Sequence, residues 1–195
     1  MTLPGLSLTL ALAGILAPTL TEAGGQASKI TAPETITANA HVAGSTGAVA
    51  TRVTMQIDRY TPEAERNAVA DALKHGGYPG FLTALRKAPV VGTVTVAGET
   101  FDIRWAREQP VPTGRSIVLI TDKPVYFVGG GSTKAKPREG YEVAVLQFRL
   151  DDSGLGFEGT MAAAARVKPG GPSGVQIDDY AEKPIELQTL NRAIK

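Results

Sequence analysis

The stretch Gly154-Leu-Gly-Phe-Glu-Gly159 comes nearest to a cofactor signature, because it fits the G-x-G-x-x-G spacing of dinucleotide-binding turns and is followed by Asp178. Such a turn must end a strand and open a helix. Here Asp151-Asp-Ser153 precedes the glycines, and the residues after them alternate like a strand until Pro169-Gly-Gly-Pro172. The sequence therefore predicts a hairpin turn built on Asp152-Ser-Gly154, and no nucleotide site. Gly129-Gly-Gly-Ser-Thr-Lys134 offers successive backbone amides and a lysine. It lacks the G-x-x-x-x-G-K-[ST] spacing and reads as a hairpin loop.

Other chemistry-bearing residues are isolated. His41 and His75 have no H-x-H or H-E-x-x-H partner, so no metal site is assigned. There is no G-x-S-x-G nucleophile elbow, and Asp151-Asp-Ser-Gly-Leu155 lacks the ligand pattern of a calcium loop. Asp58, Asp102, Glu142, Glu158 and Asp178 fall on the polar phase of predicted strands, interleaved with Arg52, Arg104, Arg149 and Arg166, which predicts solvated cross-strand pairs. Catalytic residues are assigned nowhere. Trp105, the single tryptophan, is the one candidate ligand contact; its apolar company on Phe101-Asp-Ile-Arg-Trp105 makes a packed core position the simpler expectation.

The elements that carry these residues follow from periodicity. Ile36, Ala38, Ala40 and Val42 alternate with polar residues, as do Val53, Met55 and Ile57, and the turn Gly44-Ser-Thr-Gly47 joins them into a predicted hairpin. The period then becomes helical. Thr61 is placed as a cap and Pro62 at the first helical position; Ala68, Val69, Ala72 and Leu73 form a stripe, and His75-Gly-Gly77 ends it near Lys74. Pro79 opens a second short helix with Phe81, Leu82 and Leu85 at helical spacing. Strands follow at Val91–Val96, Phe101–Arg107, Arg115–Thr121, Tyr141–Leu150, Phe157–Val167, Val175–Ile177 and Ile185–Leu187. The face of Phe101, Ile103 and Trp105 is expected to meet the helices. The predicted class is α+β: a curved, mainly antiparallel sheet or open barrel of about eight strands with one inserted helical hairpin.

Composition bounds the function. The apolar run Leu6–Leu16, about 11 residues, fits the core of a signal peptide and falls short of a bilayer span, and no Lys or Arg precedes Lys29. Thr21-Glu-Ala23 and Gly25-Gln-Ala27 offer cleavage after Ala23 or Ala27. The expectation is a signal peptide over 1–27, a single domain over 28–195, and export to the periplasm or medium, with no membrane span in the mature chain. Zero cysteines exclude disulfides, thiolate metal sites and a lipidated cysteine. With 20 basic and 19 acidic residues spread along the chain, no nucleic-acid footprint is present.

Several stretches together resemble a group of exported bacterial proteins without an assigned activity. They are Arg52-Val-Thr-Met-Gln-Ile-Asp-Arg-Tyr60, Thr61-Pro-Glu-Ala-Glu-Arg66, Lys87-Ala-Pro-Val-Val-Gly92, Phe101-Asp-Ile-Arg-Trp-Ala-Arg107, Ile117-Val-Leu-Ile-Thr-Asp-Lys-Pro124 and Ile177-Asp-Asp-Tyr180. The resemblance implies export and a shared fold; it implies no substrate, cofactor or catalytic residue. The expected function is an exported binding or envelope-associated module for a small molecule or protein. The alternative is a hydrolase-like enzyme with a dispersed polar site.

Overall fold

The computed structural model describes residues 32–41, 50–126, 138–171 and 174–193. The proposed leader, the turn Gly44–Gly47 and the loop Gly129–Lys134 lie outside them. The elements, in order, are β1 (Glu34–His41), β2 (Ala50–Ile57), α1 (Glu63–Lys87), β3 (Gly92–Val96), β4 (Glu99–Val111), β5 (Gly114–Thr121), β6 (Val143–Leu150), β7 (Leu155–Pro169), β8 (Val175–Tyr180) and β9 (Ile185–Ala193).

Strands β1 to β7 follow one another as antiparallel neighbours, and β9 fills the place between β7 and β1. Eight strands thus form a closed ring, and β8 pairs with β7 beyond it. This corrects the open sheet expected from sequence. Sequence alternation predicts a last strand ending at Leu187, whereas the strand runs to Ala193 and pairs on both edges. An even number of strands lets an all-antiparallel ring close without a mismatched edge. β7 is long because it has successive partners on one side: Leu155–Met161 against β9 and Ala165–Pro169 against β8.

Alternation sets what faces inward. Ile36, Ala38 and Ala40 of β1, Val53, Met55 and Ile57 of β2, and Leu146, Phe148 and Leu150 of β6 fill the interior as the sequence period requires. Their neighbours Thr35, Thr37, Thr54, Gln56, Thr93 and Thr95 take the opposite, outward phase. Over β1–β3 that polar exterior is the reverse of a lipid-facing barrel wall. Among the described residues, no helix is long and apolar enough to cross a membrane.

A second apolar cluster lies between α1 and the outer wall. Val69, Leu73, Phe81 and Leu85 of the helix meet Trp105, Ile120, Val143, Val145 and Ala162 of β4–β7, with Val167 and Val175 of the β7–β8 arm. The expected helical hairpin is instead one element broken only at Gly77, whose φ of 60° and ψ of −162° leave helical geometry. Glycine occupies that region at little steric cost, and Pro79 resumes the helix two residues later. No loop separates the two segments, and both send apolar side chains into the same cluster. The helix start also differs from expectation. Pro62 is the cap residue, and Thr61 serves the sheet: its N–H donates to the Ala106 carbonyl at 2.9 Å and its hydroxyl accepts the Ala106 N–H at 2.8 Å.

Candidate functional site

Two polar constellations stand out, one at a barrel mouth and one on the outer wall. The inward phase of β1 begins with Glu34 and that of β5 with Arg115, which places opposite charges at the same barrel end. Arg115 donates from Nη1 to Glu34 Oε1 at 2.8 Å and from Nη2 to Oε2 at 2.6 Å. The Tyr60 hydroxyl also donates to Oε1, while Arg192 Nε stands 3.0 Å from Oε2 without hydrogen-bond alignment. Glu108 Oε1 accepts from Arg115 at 3.3 Å. Both Glu34 and Arg115 are 5% exposed.

Burial alone would raise the pKa of Glu34. The hydrogen bonds from Arg115 and Tyr60, with the charges of Arg115 and Arg192, outweigh it and hold the carboxyl below its ordinary value of 4.5. For Arg115, burial opposes the charge, and the Glu34 hydrogen bond reverses that, moving its pKa upward. Glu34 already has partners on both oxygens, so it cannot act as a base toward a substrate without dismantling the mouth. The cluster is a structural clamp that closes the barrel end. At the other end Val125 turns inward, its N–H donated to Ala163 at 2.8 Å.

The outer wall carries the candidate site. Trp105, Ile120, Val145 and Ala162 form one in-register row across β4–β7, and α1 covers it. The next row is Arg107, Val118, Gln147 and Thr160, and beyond it stand Gln109, Ser116 and Arg149. β4, β6 and β7 change from apolar to polar at this level, whereas β5 keeps Val118 there and turns polar one row further on, at Ser116. The pattern is legible in β6, buried throughout Val143–Leu146 and then alternately exposed at Gln147 and Arg149. Gly171, Val175 and Gln176 of the β7–β8 arm contribute the remaining edge of a groove of about 540 Å³, and Glu158 is its one carboxylate. Gly174 seats the arm on Ala70 of α1: a Cβ there would stand 3.0 Å from the Ala70 Cβ. A second depression of about 790 Å³ adjoins it over β7 and β9, where Glu158 and Glu186 are both exposed.

The residues singled out by sequence are distributed as follows. Trp105 is fully buried under α1 and lines neither depression. Ile103 belongs to the barrel interior and Phe101 packs against it, so the three aromatic and apolar residues do not share a face. The cause is a bulge. Ile103 pairs with Thr121 and Trp105 with Ile120, which leaves Arg104 as the extra residue that reverses the phase. Arg104 then ties Asp102 and Asp122, each at 3.2 Å, to the Ala88 carbonyl at 3.0 Å after the helix. Asp178 pairs with Arg166 and Lys168, each at 3.1 Å, in the exposed manner expected. His75 Nδ1 lies 2.9 Å from the Asp71 carbonyl oxygen.

The glycine run is a packing device. Gly154 takes the turn at φ 86°, and Asp151 Oδ1 accepts the N–H groups of Ser153 and Leu155, each at 2.9 Å. Gly156 and Gly159 lie inside β7, where a Cβ would stand 2.2 Å from the Arg149 carbonyl oxygen and 2.7 Å from Phe148 Cβ, respectively. Neither glycine opens a helix, so the backbone amides have no phosphate cradle to form. Among the described residues no group of three or more potential metal ligands converges.

The arrangement defines a side-chain-filled antiparallel barrel with a polar groove on its wall. No family model matches the chain, and neither a curated protein nor a solved structure matches it.

Proposed function

We propose that this protein is an exported binding module that holds a small polar molecule in the groove between the wall of β4–β7 and the β7–β8 arm. The carrying observation is the run of polar side chains that Arg107, Gln109, Ser116, Gln147, Arg149 and Thr160 set around Val118 on the outer face of β4–β7, beside an arm anchored on the helix. A wall that merely had to be wet would need no overhanging edge, and pockets with few convergent polar groups are the usual form of a small-molecule site. The hydrolase-like alternative has less support. Glu158 is the single carboxylate of the groove, Ser116 has no histidine beside it, and Glu158 with Glu186 stands on an exposed part of the wall.

Binding is tested by amide NMR on the mature chain with a panel of sugars and small metabolites. Saturable shifts should concentrate at Arg107, Gln109, Ser116, Gln147 and Thr160. Shifts confined to other surfaces would defeat the reading. Export rests on the apolar leader, the absence of cysteine and the resemblance noted above. The mature protein is expected to begin at Gly24 or Ser28. N-terminal sequencing of protein recovered from periplasm or medium checks this, and intact Met1 on cytosolic protein would contradict it.

A further inference from the structure

The groove has more positive charge than its surroundings neutralise. Most arginines near the barrel ends and arm are matched: Arg59 to Glu65, Arg104 to Asp102 and Asp122, Arg115 to Glu34, and Arg166 to Asp178. Arg107 and Arg149, which line the groove, have no carboxylate within ion-pair distance among the described residues, and neither has Arg66 next to Arg107. Partial burial and the Arg66 charge pull the pKa of Arg107 below its ordinary value, with Glu63 offsetting part of this. Two arginines lining one concavity whose single carboxylate is Glu158 leave an excess of positive charge that an incoming anion stabilises.

We infer that the groove takes a small molecule bearing a carboxylate or phosphate group, engaged by Arg107 and Arg149, and this rests on the groove being the binding site. Both arginines belong to the outward rows. They stand two strands and two residues apart, a diagonal of about 12 Å between Cα atoms at ordinary sheet spacings. Guanidinium groups at that separation converge on a ligand lying along the groove, and their planar donor forks match carboxylate and phosphate oxygens. Gln109, Ser116 and Gln147 stand between or beside them and supply uncharged donors and acceptors for hydroxyl groups. The chemical class is therefore a hydroxylated acid, such as a sugar acid or sugar phosphate.

The test is an NMR titration of the mature chain with glucuronate, glucose 6-phosphate, inorganic phosphate and neutral glucose, repeated on R107Q and R149Q after thermal melts confirm that both fold. The acidic sugars should shift the groove amides saturably, and each substitution should weaken that binding about tenfold or more, as expected for a lost charge-assisted hydrogen bond. Preference for glucuronate or for glucose 6-phosphate identifies which anionic group is read, and inorganic phosphate shows whether the anion suffices without the sugar. Glucose shifting the groove while the acids do not would overturn the anion assignment and leave the groove as the site. Silence of the groove toward every probe would overturn both. Acid binding unchanged in R107Q and R149Q would overturn the assignment by placing the anion elsewhere.

Discussion

Arg115→Ala is expected to lower the unfolding free energy by about 3–5 kcal/mol, because it strands the Glu34 carboxylate inside the barrel mouth. Urea unfolding at neutral pH measures this. Replacing both partners together, as in Glu34→Met with Arg115→Leu, should cost clearly less than the single change, since the fully buried carboxylate goes with its partner and only the partly exposed Arg192 and Glu108 lose theirs. A single variant as stable as the parent would mean that water reaches Glu34, contrary to its burial. The pH dependence has a definite sign. The folded-state pKa of Glu34 lies below 4.5, so its contribution is fully present above the ordinary carboxyl range and is lost as pH falls through the depressed value. Glu34→Gln should therefore be less stable at neutral pH and show a flatter acid limb. An acid limb identical to that of the parent would assign the loss to other carboxylates.

Trp105→Ala should cost about 3–5 kcal/mol, the range for emptying a large aromatic site in a packed core. Trp105 is fully buried among Leu73, Phe81, Leu85 and Ile120, and its loss opens a void between helix and barrel wall. Its indole Nε1 has no acceptor among the described residues. Trp105→Phe thus surrenders volume but no hydrogen bond, and should retain most of the stability. Native emission should be blue-shifted and resistant to acrylamide, and ligands of the groove should leave it nearly unchanged. Freely quenched native emission would contradict the packing of α1 on the wall.

Much of the barrel was legible because alternation is a local property. The inward residues of β1, β2 and β6 could be named from spacing, and so could the apolar positions Val69, Leu73, Phe81 and Leu85 of the helix. What stayed hidden depends on pairing. The bulge at Arg104 needs a partner strand to define it, so spacing alone puts Trp105 on the face of Ile103, while its contact with the helix is as the sequence predicts. Glu34 and Arg115 each extend an inward phase by one step, a signal present in the sequence; that they meet follows from closure of the ring. The groove was half visible. The switch from Val143-Ala-Val-Leu146 to Gln147-Phe-Arg149 marks where cover ends, but the arm that edges the groove folds back through tertiary packing with no local signature.

The place of β9 in the ring has a consequence for how the molecule comes into being. Among the described residues β9 is the last strand in chain order, and it zips onto the first: the Thr37 hydroxyl reaches the Asn191 carbonyl across 154 residues of sequence. Contacts of such separation form late, because the intervening chain must be ordered before they are rewarded. Until residues 185–193 are free to pair, β1 and the first half of β7 have no partner on those edges, and the barrel cannot seal. Delayed sealing keeps the nascent chain pliable for longer than a fold built from neighbouring contacts. The same delay leaves two open strand edges exposed to other chains, which makes the interval before completion the point of greatest aggregation risk.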